Sequence, residues 1–387
     1  MKALVLSGGG SKGSYQLGVW KALKKLNIKF DIITGTSSGA LNGALMTQKS
    51  YRKAKKIWNK LNMKVIFGED VEATTKKDII KMYGKQIVKG GMDVSKLEEL
   101  IHKTINVKKF YKSKINFGLV TLNLTNHKAE ELEKKDINQD KMADYLIASA
   151  SCFPAFKQKD IEGIKYVDGG YHDNLPINLA IKMGATEIIC VDLRAPGRKK
   201  EIKNKNIPII TITPNNKLSN FLDFNTEVVK RNISYGYNDT MKVFNKLEGR
   251  KYTFKKNSLK KNSKEYEELY NYILKKVLNT KKIEKQFNTI IESLNLVEEK
   301  KELKTNLFQI IVENTAKKLK LDDTKIYSMK EFNKELIKKI KNKEITKDEQ
   351  EFIKLLKNNK YDEIRIKAIT NPKELLRSIY LYTLIEA

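Results

Sequence analysis

The sequence predicts an α/β protein in which a mostly parallel sheet is covered by helices on both faces, with an α-helical region at the C-terminal end. Three observations predict it. Through the first two thirds of the chain, short apolar runs alternate with longer segments of helical period, the pattern that parallel strands joined by crossover helices require. Two glycine-rich turns each join a strand candidate to a helix candidate. Beyond Lys255-Lys256-Asn257-Ser258 the strand candidates cease, and apolar residues recur at i, i+3 and i+4.

The elements follow in order. Lys2-Ala3-Leu4-Val5-Leu6 is the first strand, and it enters Gly8-Gly9-Gly10-Ser11-Lys12-Gly13 ahead of an amphipathic run with Val19, Leu23 and Leu26 on one face. Phe30-Asp31-Ile32-Ile33-Thr34 is a short β-rich run leading into Gly35-Thr36-Ser37-Ser38-Gly39, after which Ala40 to Met46 begins a small-residue helix. The stretch from Lys49 to Phe110 is helical, polar and Lys-rich, and is placed to cap the mouth of a site at these turns. Ile115 to Leu122, Tyr166-Val167, Ile188 to Leu193 and Ile207 to Ile212 are strands, with a helix over Met142 to Ala150.

The composition shift at Lys255 divides the chain into residues 1–254 and 255–387. In the second part Tyr266, Leu269, Tyr270, Ile273, Leu274, Val277 and Leu278 keep helical spacing, and Leu307–Ile311, Leu336–Ile340, Phe352–Leu356 and Leu375–Leu384 repeat the pattern. This predicts an all-helical region, either a small bundle docked on the first part or a basic amphipathic element for a membrane surface or partner. No repeat of fixed period is present.

The string Gly35-Thr36-Ser37-Ser38-Gly39 fits G-x-S-x-G, which sets a serine on a sharp strand-to-helix turn. A hydroxyl becomes a nucleophile when a base takes its proton, and the oxyanion that follows needs preorganised N–H donors. The Gly8–Gly13 string crowds N–H groups at a helix N-terminus, so the backbone of Gly9 and Gly10 is the expected oxyanion hole, helped by the Ser38 N–H. The glycine-rich string also invites two other readings. Gly8-x-Gly10-x-x-Gly13, with Asp31 some twenty residues on, matches a dinucleotide fingerprint, but the strand after Asp31 runs straight into the serine turn. A P-loop fails because Lys12 precedes Gly13.

Downstream, Asp168-Gly169-Gly170 would alone read as a turn. With the two earlier strings, in this order, it resembles the patatin-like phospholipase family, as do Ala148-Ser149-Ala150-Ser151-Cys152-Phe153-Pro154-Ala155-Phe156, Tyr171-His172-Asp173-Asn174-Leu175-Pro176, and Leu222-Asp223-Phe224 followed by Gly236-Tyr237-Asn238-Asp239-Thr240. The resemblance, to bacterial members, implies a three-layer fold with a central, mostly parallel sheet in a catalytic domain over 1–254, its motif-bearing part at about 4–181. It implies Ser37 as nucleophile, Asp168 as base, and Gly8, Gly9, Gly10, Lys12, Gly13 and Ser38 around the oxyanion. The implied activity is a lipid acyl hydrolase of phospholipase A or lysophospholipase type, with no cofactor and no metal. An acyltransferase using the same pair, or a basic membrane-binding protein with vestigial motifs, are the alternatives.

Because a free aspartate is a weak base for a hydroxyl, Asp168 is expected to be partly desolvated or in direct contact with Ser37. Of the three histidines, His102 and His127 read as surface residues; His172 lies beside Asp168 and is the one candidate for a conventional triad, though nearness in sequence to the aspartate says little about Ser37.

At 387 residues and 40% hydrophobic content the chain is long enough for a packed core. Met1-Lys2 runs directly into a strand and no segment approaches the ~20 apolar residues of a membrane span, which predicts a cytoplasmic protein in peripheral contact with membranes. Cys152 and Cys190 fall in predicted core elements, suit a reducing compartment and lack metal-ligand spacing. The formal charge of +30 comes largely from lysines spread along the chain; it favours an anionic membrane surface, while no helix-turn-helix, zinc finger or aromatic RNA-binding signature accompanies it, so no nucleic acid is expected. The sequence leaves the oligomeric state open.

Overall fold

The computed structural model describes residues 1–67, 91–277, 307–342 and 344–386. They form two compact units, Met1–Val243 and Phe244–Ala387.

The first unit is built on an eight-stranded sheet: β1 (Lys2–Leu6), β2 (Ile32–Thr36), β3 (Asn116–Asn123), β4 (Lys128–Glu133), β5 (Lys159–Ile161), β6 (Ile164–Asp168), β7 (Glu187–Val191) and β8 (Ile209–Ile212), in the order β5-β6-β3-β2-β1-β7-β8 with β4 paired to β3. The run from β3 through β2, β1 and β7 to β8 is parallel. Ala3, Leu4, Val5 and Leu6 are all buried, as they must be in a central strand covered on both faces. The Ser14–Lys25 helix packs against Thr226–Val243 through paired glycines: a Cβ on Gly18 would lie 1.9 Å from the Ile233 carbonyl oxygen, so only glycine permits this approach.

The predicted strands are present, with ends displaced by a few residues. The antiparallel part was harder to foresee, because β4 reads Lys-Ala-Glu-Glu-Leu-Glu and lies at half-buried positions, giving no apolar alternation. Cys152 sits outside any core element, half-exposed in the loop after the Met142–Ser149 helix; Cys190 is buried in β7, as expected.

The second unit is not all-helical. Three short strands, β9 (Leu247–Glu248), β10 (Thr253–Lys255) and β11 (Ile326–Tyr327), form a separate sheet in the order β11-β10-β9. Because β9 and β10 pair there, the unit begins at Phe244, ahead of the composition shift at Lys255. Phe254, Tyr327 and Phe332 meet at its centre with ring centroids 5.0 Å (Phe254–Phe332) and 5.2 Å (Tyr327–Phe332) apart, within the range of favourable aromatic pairs. The helical face predicted from Tyr266 to Leu278 lies on the Ser258–Val277 helix: Tyr266, Ile273 and Val277 are buried and Leu269 packs against them. Leu278 and the side chains of Tyr270 and Leu274 lie outside the described residues. Among the described residues no helix is long and apolar enough to cross a membrane.

Candidate active site

The site is assembled by pairing register. Val120 of β3 pairs with Thr36 of β2 on one edge and Glu131 of β4 on the other, whereas Thr121 pairs with Glu130 of β4 and Asp168 of β6. Since β4 takes one edge of β3 throughout, β2 and β6 must share the other, meeting end to end. Ser37, the residue after β2, and Asp168, the last residue of β6, are thereby brought face to face.

Ser37 has φ 57° and ψ −130°, a strained conformation for a non-glycine residue. Two contacts hold it. Its N–H donates to Ser149 Oγ at 3.0 Å, and Ser149 Oγ in turn donates to the Val120 carbonyl at 2.7 Å. The helix behind it seats directly on β1, where a Cβ at Gly39 would lie 2.3 Å from the Leu6 carbonyl oxygen.

Asp168 is buried, and its carboxylate accepts hydrogen bonds from the Ser37 hydroxyl and from the Gly170 N–H, the latter at 2.8 Å. Burial pushes its pKa up to about 6, against the partial opposition of those two bonds. The predicted desolvation and direct contact are both present.

The glycine-rich loop lies alongside. Gly9 and Gly10 line the cavity, and among the described residues their N–H groups, like that of Ser38, meet no acceptor. Gly8 differs, because its N–H is committed to the Asn174 carbonyl at 3.1 Å. Gly13 lies behind the loop, its carbonyl accepting from Asn42 Nδ2 at 2.9 Å and its Cα packed against Ser38. The Lys12 ammonium makes no ion pair or hydrogen bond among the described residues; burial lowers its pKa, and the charge of Lys217 lowers it further.

Over this floor opens a cavity of about 220 Å³ walled by Ala150, Phe156, Tyr171, Phe221, Leu222 and Phe224. Cys152 and Asn174 also line it, and burial raises the Cys152 thiol to about 11, helped by the nearby Asp168 carboxylate. No described residue of the Lys49–Phe110 stretch lines the cavity; the nearest link is the bridge between Met92 and Phe156. Residues 68–90 of that stretch lie outside the described residues.

The rejected roles are resolved by position. His172 does not line the cavity and faces Glu131, with Nε2 3.8 Å from its carboxylate. His102 pairs with Asp144 at 3.3 Å, a partner the sequence did not suggest, and His127 is exposed in the β3–β4 turn. Asp31 accepts from the Lys2 N–H at 2.9 Å, at the start of β1, so it lies at the opposite end of that strand from the glycine loop and cannot serve a nucleotide bound there. No cluster able to hold a metal ion occurs among the described residues. Ser149, Asn174 and much of the wall fall in segments that carried the family resemblance, but the sequence assigned them no role, since their roles arise from contacts across the sheet and not from local spacing.

Fold and site together define an α/β protein with a serine on a strand–helix elbow, hydrogen-bonded to a buried aspartate beside backbone N–H groups that meet no acceptor among the described residues. The patatin-like phospholipase family model matches residues 4–181, and this part of the chain is a patatin-like phospholipase domain. Lysophospholipase nte1 of Aspergillus terreus is 30% identical over 195 residues, 49% of this chain, and patatin-like phospholipase domain-containing protein 7 of Rattus norvegicus is 30% identical over 200 residues. The chain covers only 12% and 13% of those two relatives. The crystal structure of VipD from Legionella pneumophila aligns over 100% of this chain and 87% of its own at 16% identity with a TM-score of 0.37, too distant to bear on function.

Proposed function

We propose that this chain is a lipid acyl hydrolase that cleaves carboxylic esters of phospholipids or lysophospholipids through Ser37 and Asp168. The observation that carries the reading is the Ser37–Asp168 hydrogen bond, set between an apolar cavity and the unpaired N–H groups of Gly9 and Gly10. Asp168 accepts the hydroxyl proton as Ser37 Oγ attacks the ester carbonyl, and the oxyanion gathers the N–H donors of Gly9 and Gly10, with Ser38 adjacent. Collapse expels the alcohol, which takes the proton from Asp168. Water then yields a proton to Asp168 and attacks the acyl-enzyme; collapse returns that proton to Ser37 and frees the fatty acid. The apolar wall suits an acyl chain, and the formal charge of +30 favours contact with anionic lipid surfaces.

A fluorophosphonate probe tests the nucleophile. The native protein should be labelled and Ser37→Ala should not, with lipid ester hydrolysis lost in parallel. Equal labelling of Ser37→Ala, or loss of activity in Ser38→Ala instead, would sink the assignment.

A further inference from the structure

The segment between β8 and the Thr226–Val243 helix crosses the glycine-rich loop. Its near end is tied down at Asn215, whose side-chain Nδ2 donates to Asp239 at 2.8 Å. Its tip is pinned on Ser11: the Ser11 N–H donates to the Phe221 carbonyl at 2.7 Å, and Ser11 Oγ donates to the Asn220 carbonyl at 2.9 Å. The approach depends on Gly10, at φ 56°, where any Cβ would lie 2.2 Å from the Phe221 carbonyl oxygen. Ser11 itself is fully buried, while the Phe221 ring stands 36% exposed at the cavity wall.

One contact therefore has two faces. On one side is an aromatic surface that a substrate chain would touch; on the other are the amides next to the unpaired Gly9 and Gly10 N–H groups. Resting on the hydrolase reading above, we infer that Phe221 selects the acyl chain and that Ser11 is a positioning residue, transmitting the seat of this strap to the oxyanion donors. Loss of the Phe221 ring removes apolar contact from long chains only. Loss of the Ser11 hydroxyl leaves the wall in place and loosens the donors, whose work is done in the transition state.

The test compares kcat and KM for p-nitrophenyl butyrate and decanoate, together with binding of a fluorescent long-chain fatty acid in a Ser37→Ala background. Phe221→Ala should raise KM for decanoate about tenfold, leave butyrate within about twofold, and weaken fatty-acid binding. Ser11→Ala should lower kcat about tenfold for both esters with KM little changed. Asn215→Ala, at a residue that does not line the cavity, removes one of the two hydrogen bonds that Asn215 gives Asp239 and loosens the near end of the strap; it should shift kcat the same way by a smaller factor and decides the question if Ser11→Ala does not fold. An unchanged kcat in folded Ser11→Ala, or in Asn215→Ala where Ser11→Ala fails to fold, overturns the positioning role; equal effects of Phe221→Ala on both esters overturn the selecting role. A wild-type protein that binds the fatty acid through Phe221 but turns over neither ester refutes the hydrolase reading and Ser11 with it, leaving Phe221 as a chain-binding residue.

Discussion

Asp168 is held in the folded protein at a pKa near 6, above its ordinary 3.8, and both rate and stability follow from that displacement. A base works deprotonated, so kcat/KM should climb as pH rises through about 6 and level off above it. Asp173 is pushed to about 6 as well, by burial against the bonds it accepts from Leu175 and Lys200, yet it does not line the cavity. Asp173→Asn should therefore keep the acid limb of the rate profile, whereas Asp168→Asn should lose two to four orders of magnitude of activity; the reverse would reassign the base. Stability has its own sign. A carboxyl raised on folding favours the folded state fully below its unfolded pKa and loses that advantage as pH rises through the folded one. Asp168→Asn should thus match the wild type below about pH 4 and exceed it above pH 6, by up to about 3 kcal/mol in denaturant titrations. Equal pH dependence of stability in the two proteins would contradict a buried, titrating Asp168. Ser149 completes this scale: Ser149→Ala orphans the Ser37 N–H, and should cost about 1–3 kcal/mol of stability as well as turnover.

Among the elements, the second unit shows how helices are fixed by a shared carboxylate. Glu349 closes a capping box with Thr346 at the start of the Lys347–Lys357 helix, and its other oxygen accepts from Arg377 Nε at 2.7 Å, on the Pro372–Glu386 helix. Both side chains are buried, and since Arg377 also pairs with Glu374 it is removal of Arg377 that strands a charge, the Glu349 carboxylate. Arg377→Ala should lower the unfolding free energy by about 3–5 kcal/mol, read by far-ultraviolet circular dichroism; a change under 1 kcal/mol would mean the carboxylate has found another partner or solvent. Helices such as this were legible because an apolar stripe of helical period is a local signal, whereas the capping box at Thr346 was not read from the sequence. The parallel strands were legible for the same reason, as unbroken apolar runs. By contrast β4, β9 and β10 are short or polar strands that gain their places by pairing with a neighbour, β4 with β3 and β9 with β10, and the polar composition of Lys128–Glu133 carries no apolar alternation to mark it. Within the site, Ser37 and the glycines announced themselves by motif, while Ser149 and Phe221 act through a single hydrogen bond each to the elbow or loop, which no spacing encodes.

For the whole molecule the governing quantity is charge. If the +30 recruits the protein to lipid, hydrolysis of vesicles should increase with anionic lipid content and decline as salt shortens the Debye length to ~8 Å, while a small soluble ester is turned over at an unchanged rate. Vesicle hydrolysis indifferent to both would leave the lysines as general solubilising charge.

The end-to-end arrangement of β2 and β6 along β3 makes that strand a ruler. The distance between Ser37 and Asp168 is set by the single step from Val120 to Thr121, not by the lengths of chain that separate them. Residues added or removed at the β3–β4 turn, or in the long excursion between β2 and β3, change the contour of the chain and leave the pair in register. One residue inserted within β3 at that step would draw the partners apart by about 3.3 Å, enough to break their hydrogen bond. The loops of this layout can therefore change length while the residue count of β3 cannot.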